Sequence, residues 1–321
     1  MSFRFPPVPA IGVSALSAVM VVACGSVSEA PTPLSSQSAA HYSANGSVVG
    51  AQATSALDAT LLTAIQLVPG TAKKLAAGRD PAVTTSSGRL NCAGGGTATM
   101  TIKGASAVEE NNGRFDANEV YQLAFIDCRG AAGQAVLNGA VTMNVVSATR
   151  GATAVSLSTT TLRAASTRGV VSFIGSADLQ RAVVNSGSGS KVTTRVLASG
   201  LDITADSNGG TGNFTLSNID LTREAKYFGG VLLSTSYGGS HGLAGEFAGQ
   251  AFDYNVATQD GATFDANGVP TQGTWLVTLR SQTVLVTVAD GSMRVEIDEA
   301  KDGTIDRSFS MPLGLFGADA G

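Results

Sequence analysis

Histidine is nearly missing from this chain: its 321 residues include only His41 and His241. A serine nucleophile needs a base beside it, so this scarcity leaves few ways to build a hydrolytic pair. Charge is scarce too, at 14% of residues with a net of −4, and Lys73-Lys74 is the only adjacent basic pair. A nucleic-acid binder needs a clustered basic face to displace counterions, and none is present. Aromatic residues make up 6% of the chain, too few for the two girdles of a transmembrane barrel. No strand–helix–strand rhythm runs through the sequence, which excludes a parallel α/β sheet.

What is abundant is glycine, at 39 residues, together with serine and threonine. That mixture suits many short strands joined by tight turns. From about residue 86 to 316 the apolar residues recur with a period of two. Ala98, Met100 and Ile102 alternate with threonines, and Leu137, Val141, Met143 and Val145 share one face across Gly139. Val284, Val286 and Val288, then Val295 and Ile297, repeat the pattern. One apolar and one polar face marks antiparallel strands with one side wet. Gly94-Gly95-Gly96, Asn208-Gly209-Gly210, Asn267-Gly268, Asp290-Gly291 and Asp302-Gly303 fall between the runs as turns.

Ahead of the β region, Leu57, Leu61, Leu62, Ile65 and Val68 recur at helical spacing, with Ser55 as N-cap and Pro69-Gly70 as stop. The expected order is therefore a segment 1–23, a tether 24–54, a short helical segment 55–80 and a β domain 81–321. "AGQAV" (132–136) echoes "AGQAF" (248–252), and the loop "SGSGS" (186–190) marks a seam near 190 if two related halves meet there. The fold class is mainly β: a large antiparallel meander forming an open or closed barrel-like sheet, with a two-sheet sandwich as the alternative.

The first segment holds Arg4, then an apolar run from Val8 to Ala23 that includes Pro9 and several small residues. A membrane span needs about 20 strongly apolar residues, and this run is too short and too rich in Ser and Ala. It fits the core of an export signal. Val21-Val22-Ala23-Cys24 closes it and resembles the lipobox of bacterial lipoproteins, with Val21 where Leu is commoner. The resemblance implies cleavage before Cys24 and a lipid-modified cysteine carrying palmitate-type acyl chains, which together give lasting anchoring where one chain is marginal. Gly25 and Ser26 are not the Asp that retains such proteins at the inner membrane. The implied address is thus the cell envelope, at the outer membrane. The alternative is an ordinary signal cut after Ser28-Glu29-Ala30, which would release the protein.

With Cys24 set apart, Cys92 and Cys128 form an even pair, expected as a disulfide in an oxidising compartment. A plain meander puts both at one end of the sheet but one strand apart, about 10 Å, beyond disulfide reach. Either the turn arches across or the strand order is not a simple meander. Closing that loop is worth roughly 3–4 kcal/mol on the chain-entropy model.

Candidate chemistry is thin. Gly238-Gly239-Ser240-His241-Gly242 matches the nucleophile elbow literally, but its flanks read as strand and the only other histidine lies in the tether. "DEAKDGTIDR" places Asp298, Asp302 and Asp306 on positions one, five and nine of a calcium loop, yet Ala300 and Phe309 stand where two further ligands belong. "ENNGRFDANE" supplies Asn112, Gly113, Asp116 and Glu119 but has Val108 at position one. Calcium is accordingly the one cofactor these residues raise. Trp275 sits on an alternating strand with Val277 and Leu279 and reads as core. Beyond the lipobox, "NCAGGGTATMTI", "NNGRFDANE" and "RVEIDEAKDGTIDR" resemble uncharacterised β-rich envelope lipoproteins of proteobacteria, a likeness that implies no catalytic residue. The expected function is a lipid-anchored, non-catalytic envelope protein that binds an envelope component or an apolar ligand. The alternative is a hydrolase acting on a cell-wall or extracellular polymer. An apolar cavity would favour ligand carriage, and a filled core with an exposed apolar patch would favour a partner.

Overall fold

A computed structural model describes residues 50, 53–68, 85–103, 114–130, 135–166, 169–207, 210–247, 250–264 and 270–312. Cys24, most of 24–54, and 69–80 of the helical segment lie outside these residues.

Fourteen strands follow the chain. They are β1 Thr85–Asn91, β2 Thr97–Lys103, β3 Val120–Arg129, β4 Val136–Ala148, β5 Ala152–Ser166, β6 Gly169–Ser186 and β7 Gly189–Ser207. After them come β8 Gly210–Phe228, β9 Val231–Phe247, β10 Gln250–Phe264, β11 Pro270–Thr278, β12 Thr283–Ala289, β13 Ser292–Asp298 and β14 Arg307–Pro312. They form one sheet in strict sequence order, each strand antiparallel to the next. β1 and β14 do not pair with each other, so the sheet is open. Gly187-Ser188 is simply the turn between β6 and β7, and pairing runs unbroken through it.

The period-two pattern becomes burial directly. Along β2 the side chains of Ala98, Met100 and Ile102 are buried, and along β12 those of Val284, Val286 and Val288. Leu137, Val141, Met143 and Val145 line the same inner face of β4. A flat sheet of this many strands would be about 60 Å wide at the usual 4.8 Å spacing. One helix can cover only part of it. Inner-face residues of β1–β13 and the helix nevertheless form one buried cluster, as a curled sheet requires. This is the open barrel-like arrangement.

The curl follows a line of register shifts that crosses the long strands. The shifts lie between Phe125 and Cys128, Asn138 and Val141, Thr159 and Leu162, and Gly175 and Asp178. The line continues between Ser217 and Asp220 and between Ala257 and Ala262. Bulges of this kind bend a strand and raise its twist. Gly239 shows why the line needs glycine: its φ is +114°, and an added Cβ would stand 1.9 Å from the Asp220 carbonyl oxygen.

Helix α1 is described over 53–68, with Gly50 helical as well. Ser55 is therefore inside the helix, and its hydroxyl meets the Tyr237 hydroxyl at 2.7 Å instead of capping. Of the helix residues only Gln66 is exposed, the signature of a helix enclosed on nearly all sides. Leu57, Leu61, Ala64 and Leu67 supply apolar contact. The buried threonines satisfy themselves: Thr54, Thr60 and Thr63 donate to the carbonyls of Gly50, Ala56 and Ala59.

Cys92 and Cys128 form a disulfide with a Cα separation of 5.5 Å, although β1 and β3 are indeed separated by β2. The turn arches across: the Gly94 amide donates to the Arg129 carbonyl and the Arg129 amide to the Gly95 carbonyl. These bonds bring Cys92 over the end of β3.

Replacing Gly239 by Ala should cost at least about 2 kcal/mol, from left-handed backbone strain plus the clash. Gly229→Ala, at φ +56° in an open turn with nothing within 4 Å, should cost about 1 kcal/mol. Denaturant midpoints of the two variants check the order.

Candidate functional site

The most elaborate polar arrangement in the protein sits between α1 and the inner face of the sheet. Arg181, Thr194 and Arg223 stand side by side across β6, β7 and β8 in one row of the register, and Tyr237 on β9 extends it. Asp58 on α1 faces this row. Its carboxylate accepts a hydrogen bond from Thr194 Oγ1 at 2.6 Å and from Arg223 Nη1 at 2.9 Å, and Arg181 Nε lies 3.4 Å away. All three ionised side chains are almost withdrawn from water, at 10% exposure for Asp58, 13% for Arg181 and 11% for Arg223. Burial weakens the hold of Arg223 on its proton, but Tyr237 and Asp58 outweigh it and leave its pKa above the ordinary value. Nearer the helix start, a Cβ on Gly50 would stand 2.8 Å from His241 Cε1. Glycine there allows the chain to pass directly over the imidazole.

This arrangement holds a helix in place. The space left beside it, lined by Gly50, Tyr237, His241, Val256 and Trp275 among others, is about 20 Å³, room for about one water molecule. Trp275 and Val277 lie in the filled core, as their alternation indicates. A larger hollow of about 310 Å³ lies at the opposite end of β6–β9, bordered by Ile174, Asp202, Thr204, Asn213, Phe214 and Thr215. Among its described lining residues Asp202 is the one titratable side chain, and it accepts a hydrogen bond from Thr215. An acid–base pair needs a second such group.

The literal nucleophile motif lies in the middle of β9. Ser240 is exposed on the outer face and His241 is buried on the inner one, because neighbours in a strand point opposite ways. No helix follows the serine, so the elbow geometry is not formed.

The acidic loops also have structural work. Asp298 accepts from the amides of Asp302 and Gly303, and Asp306 accepts from the Glu299 amide. The Thr304 amide bonds Asp302 and holds its carboxyl below the usual range. These carboxylates shape the β13–β14 turn. Among the described residues no three His, Cys, Asp or Glu side chains gather to hold a metal ion. In the other loop, Asn112 and Gly113 lie outside the described residues. Glu119 is buried and accepts from the Asp116 amide and from the Tyr121 hydroxyl at 2.5 Å. Burial, then Glu119, pushes the Tyr121 phenol above its ordinary pKa.

Sequence reasoning missed the Asp58 arrangement. Nothing in the sequence around Asp58 marks it as buried, and Arg181 and Arg223 lie on strands whose register no local pattern reveals. The only available signal was Arg181 and Arg223 in inward-facing phase with Leu179 and Leu221, two residues away.

The outer surface carries exposed Val184, Phe228, Val231 and Leu233 near two adjacent turns, and isolated Ile126, Val146, Ile174 and Ile305 elsewhere. No family model, curated protein or solved structure matches this chain.

Asp58→Asn strands two buried guanidinium groups without their counter-charge and should destabilise the fold by about 3–5 kcal/mol. Glu224→Gln breaks the exposed pair with Lys191 and should cost under about 1 kcal/mol. Chemical denaturation of the two variants measures the difference.

Proposed function

We propose that this protein is a lipid-anchored, non-catalytic component of the bacterial cell envelope that acts through its outer surface. The observation that carries the reading is the helix on the inner face of the sheet: every described residue of α1 except Gln66 is buried or half-buried, and the hollow beside Tyr237 and His241 measures about 20 Å³. An apolar ligand has no room there without expulsion of a helix tied down by Asp58. In this reading the protein acts at its exposed apolar turns, with an envelope component as partner.

The anchor in this proposal is Cys24, following Val21-Val22-Ala23, and its acyl chains would fix the protein at the outer membrane. The Cys92–Cys128 disulfide supports an oxidising compartment outside the cytoplasm. The hydrolase alternative rests on no acid–base pair among the described residues lining the hollow beside Asp202.

Cys24→Ser tests the anchor. It should leave an unprocessed precursor without acyl chains, read by intact mass and by loss of radiolabelled palmitate incorporation. Unchanged processing of the variant would overturn the lipoprotein reading.

A further inference from the structure

The hairpins β6–β7 and β8–β9 extend past their neighbours at one end. β5 begins opposite Ala182, with the Gly151 carbonyl accepting from the Val183 amide, so Val184–Ser186 have no partner on that side. On the other side the last β9 residue paired to β10 among the described residues is Thr235. The two projecting tips are joined: Gly189 pairs with Phe228, and the Gly229 amide donates to the Ser188 carbonyl. The result is one four-stranded lip.

Its leading edge contains no charged residue. The edge consists of Ser186-Gly187-Ser188-Gly189 and Phe228-Gly229-Gly230-Val231. Phe228 is 59% exposed, Val231 65%, and Leu233, the extra residue of a bulge, 57%. Tyr227 and Leu232, paired across the inner side, are half-exposed. Two register rows behind this edge, Val184, Lys191 and Lys226 stand across three strands on the outer face. Arg150, in the turn preceding β5, is exposed next to the same level.

We infer that this lip is a membrane-inserting edge whose partner is a phospholipid surface. Its side chains are ordered along the strands as a bilayer interface is ordered in depth. Uncharged turns and apolar side chains come first, and cations follow about 7 Å behind at a strand rise of 3.3 Å per residue. An apolar edge in the acyl boundary places Lys226 and Arg150 at the phosphates, with Lys191 beside them in its pair with Glu224 and Tyr227 at the headgroup level where amphipathic rings settle. This inference rests on the proposed envelope location and names the component contacted.

The single tryptophan provides the test. Trp275 is buried in the core, so bromine-labelled phospholipids in the bilayer should leave the fluorescence of the unaltered protein unchanged. In Phe228→Trp the introduced indole lies at the lip. The full processed protein would be mixed with phosphatidylethanolamine–phosphatidylglycerol vesicles containing phosphatidylcholine brominated near the headgroup end of its chains. The expected result is at least twofold quenching of the added emission and a blue shift. Adding Arg150→Glu and Lys226→Glu should reduce that quenching severalfold, with circular dichroism unchanged. Emission of the added indole unaffected by brominated lipid would overturn the inference. So would a blue shift that occurs without vesicles and follows a concentration-dependent dimer, since the lip would then bind a second copy. Intact mass at Cys24 is read on the same sample, so a failure of the anchor is distinguished from a failure of the lip.

Discussion

The Asp58 carboxylate joins the only helix among the described residues to three strands at once, and the shape of the protein depends on that junction. A meander of fourteen strands exposes a very large apolar face unless something nucleates its curl. The helix provides an apolar surface for the sheet to close upon, and Asp58 fixes where on that surface β6, β7 and β8 must lie. Leucines alone would permit sliding and rotation, since hydrophobic contact is non-directional. A charge held between two guanidinium groups and a threonine hydroxyl permits much less.

This arrangement is costly in isolation. Desolvating two arginines and an aspartate takes back much of the Coulomb gain, so the cluster adds more to position than to net stability. The stability comes from the long inner rows of valine, leucine, isoleucine and methionine, from a continuous antiparallel ladder, and from the disulfide that ties the β1–β2 turn to the end of β3. The bulge line and the helix are complementary devices. Bulges let the strands bend, and the helix determines how far they close.

Much of this architecture is legible in the sequence. Alternation along β2, β4, β12 and β13 identifies their buried faces residue by residue, and Gly139 already stood out within its strand. The helix is visible from the spacing of Leu57, Leu61 and Ile65. Its enclosure is not, because Asp58, Thr60 and Thr63 look like a wet face. They are buried because α1 lies inside a sheet that closes from several directions. The same limit hides Arg181 and Arg223, whose meeting depends on pairing between residues far apart in the chain. The cysteine geometry was ambiguous for a related reason: strand order alone separates Cys92 from Cys128, and the backbone bonds of Gly94 and Gly95 that bring them together belong to one particular turn. The apolar lip is likewise a register property, since Phe228 and Val231 become an edge only because β5 begins opposite Ala182 and the described pairing of β10 ends at Thr235.

The central claim is that the interior is permanently occupied and that the protein works at its surface. Native-state amide hydrogen exchange along 53–68 tests it most directly, with the protein in its membrane-bound form. The account predicts that these amides exchange only through global unfolding, with protection equal to that of the inner rows of β6–β9. Exchange of the helix through a separate, lower-energy opening would contradict it, because the sheet would then have an interior it can empty.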